Sequence, residues 1–319
     1  MSIKNKRIVI TGGAGFIGSH LVEELYQDNE VIILDNLFSG KIENIKPFLV
    51  NEQVRFIQDS ITNLNLLQSI FQGVDYVFHQ AAITSVPRSV ADPSATDEVN
   101  IHGALNVLIS ARDNHVKKVI YASSSSVYGG NPNLPQKEEL PPNPLSPYAV
   151  TKLTGELYCR VFTEIYGLPT VCLRYFNVYG PRQDPNSQYA AVIPIFIKKL
   201  FAHKPPVVYG DGKQVRDFTF VKDVAQANIL SATNDITGPV NVGAGKTTPV
   251  NKLAEILIEL TGNQANGIRP LHVEPRPADP RQSQADISKA QAFGYNPHYT
   301  LEEGLKITCE YFKNVIPVT

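Results

Sequence analysis

The sequence predicts an α/β protein: a doubly wound parallel sheet followed by a smaller C-terminal α/β region. Three observations carry this. Over the first 175 residues, short β-branched runs alternate with segments of helical period, the pattern of parallel strands joined by crossover helices. Runs such as Val31-Ile32-Ile33-Leu34 and Val119-Ile120-Tyr121-Ala122 are apolar without a break, as strands covered on both faces must be. A glycine-rich turn directly follows the first β-branched run of the chain, Arg7–Thr11.

Taken in order, strands are expected at Arg7–Thr11, Val31–Asp35, Val54–Gln58, Tyr76–His79, Val119–Ser123 and Thr170–Arg174. Helices are expected near 16–27, 63–72, 97–114 and 148–166. From Asn177 onward turn-rich stretches dominate, namely NVYGPRQDPNSQ, HKPPVVYGDGKQVRD and VEPRPADPRQSQ. This gives a first domain over 1–175 with a return segment around 217–243, and a smaller, loop-rich second domain over 176–319. Loops on a rigid sheet are where binding residues gather.

Composition excludes several classes. Twenty-nine basic against thirty acidic side chains, with no basic block, argue against nucleic acid or an anionic membrane as partner. No apolar run approaches the ~18 residues of a membrane span, and the N-terminal run is too short for a signal peptide. Cys159, Cys172 and Cys309 are odd in number and widely spaced. They read as buried thiols in a reducing, cytoplasmic setting, with no metal site and no disulfide framework.

The turn ITGGAGFIGSHL reads as GxGxxG at Gly13, Gly15 and Gly18, or as GxxGxxG at Gly12, Gly15 and Gly18. Glycines there let the backbone approach a pyrophosphate, whose charge sits at the following helix N-terminus. Asp35 lies 20 residues past Gly15, at the end of the second strand. That is the position of an acid that takes a ribose 2′-hydroxyl and repels a 2′-phosphate, so NAD is expected over NADP. A second constellation is Tyr148-Ala-Val-Thr-Lys152. On a helix, positions i and i+4 share a face, so the ammonium is expected to lower the tyrosine pKa and make it a general base.

The segments GGAGFIG, HQAA, SSSSVYG, SPYAVTK, RYFNVYG and VRDFTFVKD together resemble the extended short-chain dehydrogenase/reductase family, on the side of its UDP-hexose 4-epimerases. The resemblance runs from Arg7 to a C-terminal helix near Glu302–Phe312. It implies a Rossmann-type NAD domain and a small UDP-sugar domain. Gly12, Gly15, Phe16 and Ile17 would meet the pyrophosphate; Asp35, Asn36 and Ser39 the adenosine ribose; Asp59 and Ser60 the adenine. Gln80, Ala81 and Ala82 match a turn beside the nicotinamide, Asn100 a helix residue near the catalytic cluster. Tyr148 would be the base, with Lys152 on the nicotinamide ribose. Tyr175 and Phe176 would pack near the nicotinamide, and Asn177 would hold a substrate phosphate. Ala191 and Val192 match a segment over the uridine, Arg216 and Arg276 would grip the diphosphate, and Asp279 would take a uridine ribose hydroxyl. Relatives also pair the helices at 97–114 and 148–166 across a two-fold axis, so a homodimer is expected.

Counting back from Val127-Tyr128-Gly129, the resemblance assigns the catalytic hydroxyl to Ser124 and leaves Ser123 in the strand. Dehydrating relatives carry an Asp-Glu pair just after that hydroxyl, and decarboxylating ones a Glu. Here Ser125 and Ser126 stand instead, poor acids and bases near neutral pH that are expected to contact the sugar. Ser283 stands where some glucose-restricted relatives carry a tyrosine, which would leave room for a 2-acetamido group. The expectation is therefore transient oxidation at sugar carbon 4, interconverting UDP-glucose with UDP-galactose and also the N-acetylated pair. A dehydratase or decarboxylase, a net oxidoreductase that releases NADH, and a non-catalytic NAD-binding regulator are the alternatives.

Overall fold

The computed structural model describes residues 3–185, 191–275 and 281–315. The first half alternates as expected: β1 (Arg7–Thr11), α1 (Phe16–Leu25), β2 (Glu30–Leu34), β3 (Val54–Ile57), α2 (Leu64–Ile70) and β4 (Tyr76–His79). Then come α3 (Val86–Ala91), α4 (Pro93–Asp97), a π-helical turn at Glu98–Gly103, α5 (Ala104–Asp113), β5 (Lys118–Ser124), α6 (Pro147–Tyr166) and β6 (Thr170–Tyr175).

Seven parallel strands form the central sheet in the order β11-β6-β5-β4-β1-β2-β3, where β11 is Gly238–Val242. The order reverses between β1 and β4, so a crevice opens at their carboxyl ends. Alternation along the strands feeds two cores. Ile8, Ile10, Val31 and Ile33 face α1 residues Leu21 and Leu25, while Val9, Ile32 and Leu34 pack with Leu67, Val107 and Phe162 on the other face.

The expected helix over 97–114 is divided. Asp92 caps α4 by accepting from Ala95 N, and Pro93 occupies its first position. The π turn that follows contains Asn100, which is buried.

After β6 come β7 (Val178–Tyr179), α7 (Val192–Phe201), β8 (Val207–Tyr209), β9 (Val215–Arg216), β10 (Thr219–Phe220) and α8 (Val221–Thr233). Beyond β11 lie β12 (Thr248–Pro249), α9 (Val250–Leu260), β13 (Leu271–Val273), α10 (Ser288–Ala292) and α11 (Leu301–Val315). Helix α8 packs on α1 and β11 pairs with β6, so 221–242 belongs with the sheet. The remainder forms a lobe around Phe196, Leu200, Leu253, Leu257 and Phe312. It is more helical than its Pro- and Gly-rich loops suggested, because α7, α9 and α11 share one apolar core. No helix among the described residues is long and apolar enough to cross a membrane, and the three cysteines are buried and unpaired.

Candidate active site

The glycine turn sits at the sheet's switch point, and both readings of the motif stand: a Cβ on Gly13 would lie 2.8 Å from Ile33 Cγ2, and Gly12 is restricted as well. Gly12 has φ +69°, and a Cβ there would lie 2.6 Å from Ala81 N in the turn after β4. A Cβ on Gly18 would lie 2.2 Å from the Gly12 carbonyl. Gly15 meets only the Gly12 carbonyl, at 3.1 Å, so its outer side is open for approach, with Phe16 and Ile17 beginning α1 behind it.

Asp35 is 8% exposed, which removes the reading of a solvated strand-end acid. Its carboxylate accepts from Ala14 N at 3.0 Å and Leu37 N at 2.8 Å. Burial raises its pKa against those bonds. Asn36 accepts from Phe38 N and shapes the turn that carries the exposed Ser39. Asp59 and Ser60, after β3, hold their own loop: Asp59 accepts from Ser60 N and Asn63, and Ser60 Oγ from Thr62.

Beyond β4, Gln80 Nε2 donates to Tyr175 Oη and to Asn228 Oδ1 on α8. Ala81 and Ala82 continue the turn, half-buried, and Phe176 is fully buried behind Tyr175. The side chain of Asn100 accepts from Ile83 N and donates to Ile83 O and Thr151 Oγ1. Both of its N–H donors are thus spent on protein, and it holds the 80–83 turn against α6.

The serine run resolves residue by residue. Strand β5 runs through Ser124, one residue further than expected. Ser123 is buried and donates to Glu156 at 2.5 Å. Ser124 ends the strand and caps the turn over Ser125–Tyr128, accepting from Ser126 N at 3.1 Å. Ser125 is half-buried, and Ser126 Oγ is a buried oxygen with no protein partner.

Tyr148 and Lys152, one turn apart on α6, both face this strand end. Burial pushes the Tyr148 phenol up to about 12, with the hydrogen-bonded Ser124 side chain working against it. This corrects the expectation of a lowered tyrosine. Lys152 Nζ donates to the Ala122 carbonyl at 2.7 Å and lies 5.9 Å from the Tyr148 ring centre. Burial also pulls the lysine down to about 8.

Behind the site lies a buried network with no local signature in the sequence. Arg174 on β6 forks onto Glu156 on α6 through Nε and Nη2, at 2.9 and 2.7 Å. Its Nη1 donates to Tyr128 Oη, which donates to Asn241. Asp217, in the RDF motif, accepts from Ala244 N, Gly245 N and Ala285 N, and burial raises it to about 6.

Across the crevice the lobe encloses a cavity of about 360 Å³ lined by Asn177, Ala191, Val192 and Arg216, together with Lys199, Tyr209 and Phe218. Asn177 takes a left-handed φ of +32° and ties to Asp217 O through Nδ2. Ser283 N donates to Val215 O, which seats this small, half-buried residue beside Arg216. Arg276 and Asp279 lie outside the described residues. Among the described residues, no cluster of three His, Cys, Asp or Glu side chains could hold a metal ion.

The residues fit NAD. The open side of Gly15 faces a helix N-terminus. Lys152 is a buried ammonium with three donors, of which one is committed to a carbonyl, leaving protons for ribose hydroxyls. Asp35, just past the carboxyl end of β2, is an acid that could accept a ribose 2′-hydroxyl and would repel a 2′-phosphate.

The NAD dependent epimerase/dehydratase family profile matches residues 8–243. The chain is 41% identical over 312 residues to the putative UDP-glucose 4-epimerase of Methanocaldococcus jannaschii, spanning 96% of this chain and 98% of that one. Among solved structures it is similar to UDP-N-acetylglucosamine 4-epimerase of Methanobrevibacter ruminantium M1, in complex with UDP-N-acetylmuramic acid. That match has 46% identity and a TM-score of 0.95 over 98% of this chain and 100% of that chain. It is also similar to UDP-glucuronic acid 4-epimerase of Bacillus cereus, solved with UDP-glucuronic acid and NAD, at 33% identity and a TM-score of 0.89 over 97% and 99% of the two chains.

Proposed function

This chain belongs to the NAD-dependent epimerase/dehydratase family, and from that premise we propose that it is a UDP-sugar 4-epimerase taking both UDP-glucose/UDP-galactose and the N-acetylated pair. Its cofactor is NAD. One observation carries the reaction type. Tyr148 meets a neutral hydroxyl, Ser124, at the carboxyl end of β5, and the next two residues are Ser125 and Ser126, not acids. One base and one hydroxyl relay suffice to take and return a proton at one oxygen. Elimination across neighbouring carbons needs a further acid–base group.

The residues divide the work. Tyr148 accepts the proton of the sugar 4-hydroxyl while Ser124 binds the same oxygen and relays it. The orphan hydroxyl of Ser126 and the half-buried Ser125 orient the ring. NAD, which Gly15 at the start of α1 and Lys152 would hold, would supply the hydride acceptor and donor for carbon 4, and the positive charge of its oxidised ring would favour the phenolate. Arg216 and Asn177, with Arg276, hold the diphosphate, and Asp279 with Ala191 and Val192 the uridine. The sugar then turns over about its link to the diphosphate, and Tyr148 returns the proton to the epimeric 4-oxygen.

Breadth of substrate is supported by the small Ser283 beside Arg216 and by the N-acetylated sugar named for one relative. Separate incubations with UDP-galactose, UDP-N-acetylgalactosamine and UDP-glucuronate test it. The first two should equilibrate with their epimers. Turnover of UDP-galactose alone rejects the broad pocket, and turnover of UDP-glucuronate alone rejects both substrates.

A homodimer belongs to the same proposal. Helix α6 leaves Val150, Leu157 and Ile165 exposed on its outer side, an apolar stripe suited to the same stripe of a second copy. Light scattering should give twice the mass of the chain.

A further inference from the structure

We propose that Ser89, on the short helix α3, is a positioning residue for Tyr148; this rests on Tyr148 being the base. Tyr148 is the second residue of α6, where backbone N–H groups have no partner within the helix. Pro147 has no N–H, Ala149 N is bound by Ser146 Oγ, and Val150 N by the Ser146 carbonyl. That leaves the N–H of the catalytic tyrosine itself. It donates to Ser89 Oγ at 3.0 Å, from another helix 59 residues away in sequence.

The direction of this bond is settled by what Ser89 does with its own proton. Ser89 Oγ donates to the Val86 carbonyl at 2.7 Å, so its lone pairs are left for Tyr148 N. The side chain is fully buried, and no water can take its place without displacing packed atoms. Helix α3 follows directly from the turn that carries Gln80, Ala81 and Ala82 at the cofactor crevice. Ser89 therefore ties the backbone of the base to the cofactor-side segment. The other backbone end of Tyr148 is held within α6, its carbonyl accepting from Thr151 Oγ1.

Ser89→Ala frees that N–H and lets the start of α6 shift against β5, where Tyr148 and Ser124 must share one oxygen. A displacement of up to about 1 Å at a reacting group costs on the order of 10- to 100-fold in kcat. The variant should show that loss with UDP-galactose while KM and bound NAD per chain stay at wild-type levels. Ser89→Thr, which keeps the hydroxyl, should restore kcat to within about threefold. A Ser89→Ala kcat within about twofold of wild type overturns the proposal, as does a fall of kcat, NAD content and Tm together that Ser89→Thr fails to relieve. If Ser89→Ala does not fold, Ser89→Cys, similar in volume with a weak acceptor, is read against Ser89→Thr: Thr well above Cys supports the proposal, and equal values overturn it. Tyr148→Phe separates the two readings. Retained turnover there defeats the base assignment, whereas an inactive Tyr148→Phe beside a fully active Ser89→Ala defeats this inference alone.

Discussion

Glu156→Gln tests whether the network behind the site holds the catalytic strand in place. Glu156 and Arg174 side chains are 6% and 3% exposed and joined by two charge-assisted bonds. Glu156 also accepts the Ser123 hydroxyl. Glutamine keeps the shape but removes the charge and turns one acceptor into a donor facing the guanidinium. Breaking one side of a buried pair costs about 3–5 kcal/mol, because the remaining charge is left uncompensated. At about 2 °C per kcal/mol, the low end appropriate to a large domain, Tm should fall by roughly 6–10 °C. Scanning calorimetry at fixed NAD concentration reads this. Since Ser123 adjoins Ser124, kcat should fall as well, with NAD retained. Replacing both partners, Glu156→Leu with Arg174→Met, should recover part of the stability, since no buried charge then stands alone. A Glu156→Gln protein within about 0.5 kcal/mol of wild type would refute the reasoning.

Gly15→Ala should fold normally, since its Cβ meets one atom at 3.1 Å. NAD affinity measured by calorimetry should drop at least ~10-fold, because the methyl fills the side a pyrophosphate approaches. Gly12→Ala, with φ +69° and a 2.6 Å contact, should instead lose stability by several kcal/mol, on the order of a clash plus backbone strain; the reverse ranking by thermal melts would be contrary. Burial holds Lys152 at about 8 in the fold, against about 10.4 when unfolded. Unfolding therefore takes up a proton between those values, so the lysine adds stability to the cofactor-free chain as pH rises through that window, by up to about 3 kcal/mol. The fold also raises the thiols of Cys172 and Cys309, whose linkage lowers stability over the same window. The lysine is therefore read from the difference: stability of the wild type minus that of Lys152→Met, from denaturant titrations, should rise with pH by this amount. Arg216→Ala should raise KM for UDP-galactose about 10- to 100-fold with kcat little changed, the size of one charge-assisted hydrogen-bond group. A fall in kcat at constant KM would move Arg216 out of the diphosphate grip.

The sheet and its switch point are legible because their signals are local. Apolar runs, a glycine turn and an acid 20 residues on sit within one βαβ unit. Tyr148 and Lys152 are legible because helix geometry alone brings i and i+4 together. What local pattern does not encode is who meets whom across the fold. Ser89 and Tyr148, Glu156 and Arg174, and Asp217 with the loops at 244–245 and 285 become neighbours only when strands and helices pack. The tyrosine's pKa direction reverses for the same reason, since spacing places the cation on the same helix face but does not show the burial that raises the phenol. Helix α9 is a different case. Val250, Leu253, Ala254 and Leu257 recur at helical spacing and are all buried, a signal overshadowed by the Pro- and Gly-rich segments on either side.

In the proposed reaction Tyr148 exchanges a proton at one sugar oxygen while NAD is used and regenerated. The purified protein, with its bound NAD quantified, is incubated with UDP-galactose without added cofactor, following UDP-glucose by chromatography and NADH by absorbance. Many turnovers to the epimer are expected with no accumulation of NADH, and none for Tyr148→Phe that still holds NAD. NADH formed in proportion to product, or an active Tyr148→Phe, would contradict it.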